Sequence, residues 1–497
     1  MTSTGGPSLR GPEGETRFST VTGIDVPTGH FIGGEWVESR ERFATISPID
    51  QSVLAEIARA DASDVDRAVR AARDAFPAWA ALGPAGRAEH LHRLADLIDA
   101  NVERLAQVEC ADMAMLLRSL RARVIKRGAL NFRNYADLAV AYEERDWRSR
   151  GTWNRVQRMP SGPAAVITPW NAPFMLSTWK IAPGLAAGCT VVLKPAEWSP
   201  LSAALLAELA AEAGMPPGVL NVVQGIGEEA GAALVSHPLV RRVSFTGSTE
   251  TARHIGTAAA RNIVPFTAEL GGKNPFLVFE DADLDAAAAK AAGQYDDSGQ
   301  VCLSGTRLLV QESVRDAFLE RFHAAADAHV LGDPREDDTT ISPMIHPDHV
   351  ARVEGFVERA RSDGQRIVRG GRRLDGLFYE PTLIEPTSND AEIVQQEVFG
   401  PVLTIQTFSD EAEAIALANS TDYGLSAIVY TSSMGRADRI GRAVRGGTVW
   451  VNTFLVRDLT APFGGMGRSG IGREGGDYAL DFYSDLKTLQ ILDGSVR

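Results

Sequence analysis

Along the first third of the chain, apolar residues recur at helical spacing. The stretch ADASDVDRAVRAARDAFPAWAAL has polar N-cap candidates and then an apolar stripe, the pattern of an amphipathic helix. GPAGRAEHLHRLADLIDANVERLAQVE reads as a second, longer one, and Leu116 to Val140 as a third. Ahead of them HFIGGEWVES alternates about a Gly-Gly turn, so order is expected to begin there. Residues 1–26 are rich in Gly, Ser, Thr and Pro and read as a flexible tail.

From residue 164 to 272 the rhythm changes. Short apolar runs (AAVITP, TVVLKP, VLNVVQ, RVSFTG, PFTAELGG) alternate with helical segments such as PLSAALLAELAAEAG. Strand, helix, strand, helix implies an α/β fold with a parallel sheet. Such sheets bind ligands beyond the carboxyl ends of their strands, and several runs end there in polar signatures: PWN, KPAE, FTGST. After residue 302 the rhythm resumes with TRLLVQ, a helix from Ser313 to about Ala326, PTLIE, GPVLTIQTF and GTVWVN, which predicts a second α/β unit. RGTWNRVQRMP and DLKTLQILD are strand-like but polar, and too few to be stable alone. They are expected to pair with each other and form a subunit contact.

Composition narrows the class. A chain of 497 residues exceeds one compact core and predicts two or three domains. The net charge of -14 argues against a nucleic-acid partner. No apolar run reaches the length of a membrane span, and the first residues lack the apolar core of a secretory signal. Three scattered cysteines make no disulfide framework and fit a reducing cytoplasm. No metal site is expected. His90 and His92 are two apart on a helix, so they point to different faces, and His346 and His349 flank Pro-Asp; both pairs read as surface residues.

Cys302 stands in GQVCLSG, where small neighbours leave a thiol approachable. Buried, inert cysteine is the commoner case, so the heptapeptide alone does not decide for catalysis. The ordered set does: PWNAPF, LKPAE, FTGST, ELGGKNP, GQVC, EVFGP and PFGG followed by SGIGRE. This resembles the aldehyde dehydrogenase superfamily from about residue 30 to the end. Within it, NTFLVRDLTAPFGG, SGIGREGG and DFYSDLK resemble dehydrogenases of hydroxymuconic, carboxymethyl-hydroxymuconic and aminomuconic semialdehydes.

The resemblance implies two parallel α/β domains and a small β arm for oligomerisation. The nicotinamide-binding domain would take residues 27–140 and 160–266, the catalytic domain 267–452, and the arm 141–159 and 480–497, in a homodimer or homotetramer. It implies Cys302 as nucleophile and Glu269 as the base that activates water, with the Asn171 side chain and the Cys302 N–H meeting the oxyanion. Glu269 ends an apolar run, where charge is unexpected, and favours water over coenzyme A as acyl acceptor. The cofactor is expected to be NAD rather than NADP, because the Lys194–Glu197 pair puts an acid at the adenosine ribose. Gly247 and Ser248 would open the helix at the pyrophosphate. Glu397 and Phe399 would hold the nicotinamide ribose and ring. Thr168, Pro169, Trp170, Gly227, Phe245 and Leu270 complete the expected cofactor site. QGIGEEAG matches a phosphate-loop pattern but receives no pyrophosphate role.

Three departures stand out. Ala252 replaces a common glycine beside the pyrophosphate. Asp296 and Asp297 bring negative charge near Cys302, which would raise its pKa if they face it. DMAML replaces TGKP at what is expected to be a helix start. For the small-molecule substrate, Arg457 and Arg121 are the expected carboxylate contacts, since a guanidinium forks onto a carboxylate. Ala172, Leu176, Ser177, Trp179 and Phe463 would line room for an extended chain. The expected activity is NAD-dependent oxidation of a muconic-type semialdehyde through a thiohemiacetal and a thioester. The alternatives are a dehydrogenase of neutral aldehydes and an inactive family member that only binds.

Overall fold

The computed structural model describes residues 17–492. Five parallel strands form the middle of an eight-stranded sheet, in the order Phe266–Glu269, Arg242–Thr246, Pro163–Ile167, Thr190–Lys194, Leu220–Val222. Chain order reverses between Pro163–Ile167 and Arg242–Thr246, so the crevice for a ligand opens there, past Thr168 and Gly247. The buried runs of Val, Ala, Leu and Ile on these strands are what a sheet covered on both faces requires. Antiparallel strands close both edges: Gly470–Ile471 on one side, His30–Ile32 with Glu35–Val37 on the other.

A second sheet of seven strands runs Arg366–Arg369, Thr382–Glu385, Val402–Phe408, Arg307–Gln311, Pro275–Val278, Ser426–Tyr430, Thr448–Val451, parallel except at its first strand. Phe266–Glu269 pairs along its whole length with Arg242–Thr246. The chain therefore leaves the first sheet after Glu269, later than the boundary expected at 266, and crosses to the second through Leu270–Asn274. Ser484–Leu492 pairs antiparallel with Thr152–Pro160, which pairs with Arg145–Ser149, and this three-stranded arm stands apart from both sheets.

Several elements differ from the sequence expectation. Of the expected tail, residues 1–16 lie outside the described residues, but Phe18–Val21 and Ile24–Pro27 form a hairpin. Thr22 and Gly23 both take positive φ, the two-residue turn that suits strand twist. Arg42–Ile46 and Val53–Ala58 form a second hairpin. The long second helix divides at Asn101 into Gly83–Ala100 and Val102–Met113. DMAML is a helix end, with Ala114 left-handed at φ 60°. The third helix opens on a π-turn, Leu120–Val124, before Ile125–Ala141. Among the described residues no helix is long and apolar enough to cross a membrane.

Candidate active site

Cys302 follows a tight coil. Asp297, Ser298 and Gly299 are all left-handed (φ 52°, 54° and 66°). A Cβ on Gly299 would lie 2.2 Å from the Gly400 carbonyl oxygen, so only glycine lets the coil pass. Asn274 fixes the loop beyond it. Its Nδ2 donates to the carbonyls of Cys302 (2.8 Å) and Ser304 (3.0 Å), and its Oδ1 accepts from the Ser426 N–H. The Asn171 side chain reaches across from the first sheet and donates to the Gln300 carbonyl at 2.9 Å. The structure thus brings Asn171 and the Cys302 loop together. Asn274 received no role from the sequence, although it stands in a quoted motif.

Burial pushes the Cys302 thiol up to about 12, and the charges of Glu397 and Glu269 add to that, while Arg457 opposes it. Positive charge brought beside a thiol so placed favours its thiolate. Asp296 and Asp297 do not face the thiol as feared. Asp296 is exposed, 4.0 Å from His329 Nδ1, and burial together with Asp296 pushes the Asp297 carboxyl up, while the cations that act on the pair are Lys290, Arg118 and Arg123.

Glu269 ends its strand 5% exposed, with no hydrogen-bond partner for either carboxylate oxygen among the described residues. Burial and the neighbouring Glu474 hold its pKa well above the ordinary carboxylate range, against the pull of Lys180, Arg473 and Arg457. A basic carboxylate with free oxygens suits proton abstraction from water. Glu474 is itself held by Trp179 Nε1 (2.6 Å), Lys180 Nζ (2.5 Å) and Ser244 (3.4 Å). Lys180 and Glu474 were not foreseen. The signal was a lysine, the single charged residue in the helix Pro173–Ala187.

The expected cofactor residues gather at the carboxyl ends of the first sheet and across the crevice. Thr168 is buried, its hydroxyl on Ser177 at 3.0 Å, so Ser177 faces this side and not the substrate room expected for it. Pro169 and Trp170 follow. Lys194 Nζ bonds the Pro195 carbonyl and Glu197. Gly247 leads into Thr249–Arg261, whose N-cap Ser248 accepts from the Thr251 N–H. Gly227 opens a one-turn segment with free space beside its Cα. Phe245, Leu270 and Ala252 pack together beneath the crevice, so the Ala252 methyl is absorbed by the core. Glu397 accepts from the Gly272 N–H at 2.9 Å and lies so close to Gly271 that a Cβ there would be 1.8 Å from Oε2. Burial lifts its carboxyl to about 7.

Phe399 takes φ 63°, and its carbonyl accepts from His349 Nε2 at 2.7 Å. His349 is 5% exposed, not a surface residue, and burial pushes its pKa down to about 4. Its ring meets Trp170 at 5.1 Å, while His346 stacks on Trp198 at 4.5 Å. The indoles come from the first sheet's loops, far away in sequence, which hides this packing from a sequence reading. The residues present fit a dinucleotide: a helix N-terminus at the reversal of strand order, the acids Glu197 and Glu397 on the two sides of the crevice and glycines that let side chain and backbone close in.

On the opposite side Arg457 spreads over Phe463 (3.8 Å to the ring centre) and Trp179 (5.3 Å). Arg121 is not there. It is exposed and paired with Glu103. The second guanidinium over Trp179, at 5.7 Å, is that of Arg127, which bonds Asn131 Oδ1. The π-turn Leu120–Val124 breaks the helical phase between the two arginines. Arg127, Asn131 and Tyr135 lie four apart on the regular helix that follows, and Tyr135 meets Trp179 at 5.8 Å. Burial and Arg457 lower the Arg127 pKa to about 10. Among the described residues neither Arg127 nor Arg457 makes an ion pair. Ala172 precedes the helix Pro173–Ala187, and Leu176 sits on its first turn. Among the described residues no cluster of three or more His, Cys, Asp or Glu could hold a metal ion.

Comparison with known proteins gives the family. The aldehyde dehydrogenase family matches residues 36–489. The 2-hydroxymuconic semialdehyde dehydrogenase of Pseudomonas sp. (strain CF600) is 40% identical, over 93% of this chain and 98% of that one. The 2-aminomuconic semialdehyde dehydrogenase of Danio rerio is 39% identical, over 93% and 97%. A betaine aldehyde dehydrogenase point mutant from Staphylococcus aureus, solved in complex with NAD+, superimposes with a TM-score of 0.92 at 37% identity, covering 94% of this chain and 98% of its own. The chain belongs to the aldehyde dehydrogenase family.

Proposed function

We propose that the protein uses NAD and water to oxidise an aldehyde bearing a remote carboxylate, a semialdehyde of the muconic type. The observation that carries the substrate class is the pair Arg127 and Arg457, two guanidiniums over one indole, neither of them in a contact ion pair among the described residues. Arg457 feels Glu269 and Glu474 through space, but the two part-buried guanidiniums repel each other, and a substrate carboxylate between them would relieve that repulsion. That carboxylate lies against the arginines while the aldehyde points to Cys302, between the walls given by Ala172, Leu176, Trp179 and Phe463. The names of the two muconic semialdehyde relatives support the same class.

The chain's own groups divide the work. Cys302 releases its thiol proton to solvent, its Sγ thiolate adds to the aldehyde carbon, and the oxyanion is met by the Asn171 Nδ2–H and the Cys302 N–H. Bound NAD supplies the hydride acceptor and, through its positive ring, the charge that the buried thiol needs. Loss of hydride leaves an acyl group on Cys302. Glu269 takes a proton from water, hydroxide attacks the thioester, and the carboxylate leaves as Sγ recovers its electron pair. Lys194 and Glu197 hold the adenosine ribose, Gly247 and Ser248 the pyrophosphate, and Glu397 and Phe399 the nicotinamide end, with Thr168, Pro169, Trp170, Gly227, Phe245 and Leu270 around them. The first sheet is the cofactor domain, the second the catalytic domain, and the three-stranded arm joins subunits into a homodimer or homotetramer. Three free cysteines suit a cytoplasmic enzyme.

The test is a substrate panel read by absorbance of reduced cofactor. A carboxylate-bearing semialdehyde is expected to exceed a neutral aldehyde of equal length by about tenfold or more in kcat/KM. Cys302→Ala is expected to abolish turnover and keep NAD binding. Equal rates on both aldehydes reject the substrate class; turnover by the alanine variant rejects the chemistry.

A further inference from the structure

The helix Val102–Met113 ends with two carboxyl groups that have no cation for company. Glu109 and Asp112 are each 0% exposed, three apart on one face, and neither joins an ion pair among the described residues. Burying two acids in an apolar face costs free energy that a hydroxyl would avoid. What they touch gives the reason. Glu109 accepts from the Phe174 N–H (3.1 Å and 3.4 Å to its two oxygens), in the first turn of the helix Pro173–Ala187, and also lies by the Ser202 hydroxyl at the start of Leu201–Glu212, so its hold on the first helix is the one that Asp112 does not share. Asp112 Oδ2 accepts from the Leu201 N–H at 2.8 Å, the first residue of Leu201–Glu212, while its Oδ1 takes the Thr45 hydroxyl at 2.9 Å.

Each of those helices emerges from a loop of the site. Phe174 is three residues past Asn171, and Leu201 four past Glu197. The Ser199 hydroxyl ties the two loops together by donating to the Trp170 carbonyl at 3.2 Å. An acceptor at a helix N-terminus satisfies an amide that the helix cannot, and it holds the entering chain in one place. We propose that Glu109 and Asp112 are positioning residues, with Glu109 setting the Asn171 amide for the oxyanion and Asp112 setting Glu197 for the adenosine ribose. The inference rests on the roles given above to Asn171 and Glu197. One helix end thus governs two separate kinetic quantities.

That division is the test, made on the purified full-length enzyme with its aldehyde and NAD. Glu109→Met removes the acceptor at similar volume. It is expected to lower kcat by about tenfold or more while changing KM for NAD less than about twofold. Asp112→Leu is expected to do the reverse: KM for NAD up about tenfold, kcat at saturating NAD within about twofold. Glu109→Gln and Asp112→Asn keep an acceptor oxygen and are expected to recover most of each loss. Should the apolar variants not fold, Glu109→Gln carries the test in a double-mutant cycle: its kcat loss of about two- to fivefold disappears in an Asn171→Ala background. Equal damage to kcat and KM from both apolar variants, or an undiminished Glu109→Gln effect without Asn171, overturns the proposal. Asn171→Ala and Glu197→Gln alone separate the causes. If Asn171→Ala leaves kcat intact, the oxyanion reading itself is wrong and the proposal falls with it. If Asn171→Ala is crippled while Glu109→Met is not, only the bracing role fails.

Discussion

The arginine pair makes the sharpest demand on specificity. Arg127 and Arg457 share Trp179 from 5.7 Å and 5.3 Å, and their mutual repulsion helps depress the Arg127 pKa. A carboxylate bound between them gains charged hydrogen bonds worth about 1.5–3 kcal/mol each. Removing one guanidinium should therefore cut kcat/KM for an acidic semialdehyde by about ten- to a hundredfold. A neutral aldehyde of the same length loses none of this. The variants are Arg127→Met and Arg457→Met, which keep much of the packing on Trp179, with Arg121→Met as control. Arg121 is exposed and paired with Glu103, a contact worth under about 1 kcal/mol, so its loss should leave both substrates alone. Initial rates of cofactor reduction for both aldehydes on all four proteins decide the matter. The clamp is refuted if Arg127→Met loses both substrates equally, or if Arg121→Met is the variant that loses the acid.

Glu197→Gln should narrow the preference for NAD over NADP in kcat/KM, because the acid no longer repels a 2′-phosphate; a wild type that prefers NADP contradicts the ribose assignment. His349→Gln should flatten the acid limb of stability. A histidine pushed from 6.5 to about 4 by burial is neutral in the fold and charges more readily unfolded, so its contribution is intact above pH 6.5 and lost on acidification. The loss approaches roughly 3 kcal/mol at pH 4, and wild-type and variant denaturant midpoints that stay parallel from pH 7 to 4 would contradict it. Ile263 is left-handed (φ 56°) and 90% exposed just past the helix Thr249–Arg261. The Val264 N–H bonds the Ala259 carbonyl and the Ile263 N–H the Ala260 carbonyl, the pattern in which glycine is preferred. Ile263→Gly should stabilise by about 0.5–1 kcal/mol in a denaturant titration, and destabilisation would place that side chain against another copy.

The chemistry was more legible than the packing. Cys302, Glu269 and Asn171 stand in short motifs whose order along the chain implies one site, and parallel strands deliver such motifs to one edge. The strand rhythm from 164 to 272 was equally plain, since period and turn residues are local. The place of Arg127 over Trp179 was not foreseen because counting back along a helix fails where a π-turn shifts the phase. The face shared by Arg127, Asn131 and Tyr135 was the available signal. His349 was misplaced because Trp170 and Phe399 bury it from sequence positions far away. Glu109 and Asp112 did leave a mark, two acids within an apolar stripe beside Leu105 and Val108, but only the structure shows the N–H groups they serve.

The central claim is that an acyl group passes through Cys302 and leaves by a water that Glu269 activates. Glu269→Gln, mixed with NAD and the semialdehyde, quenched in acid and digested, tests it by peptide mass. The account predicts the acyl mass on the peptide containing Cys302, approaching one per chain, together with an equal burst of reduced cofactor. Reduced cofactor formed with no acyl mass on Cys302, or with wild-type turnover in this variant, would contradict it.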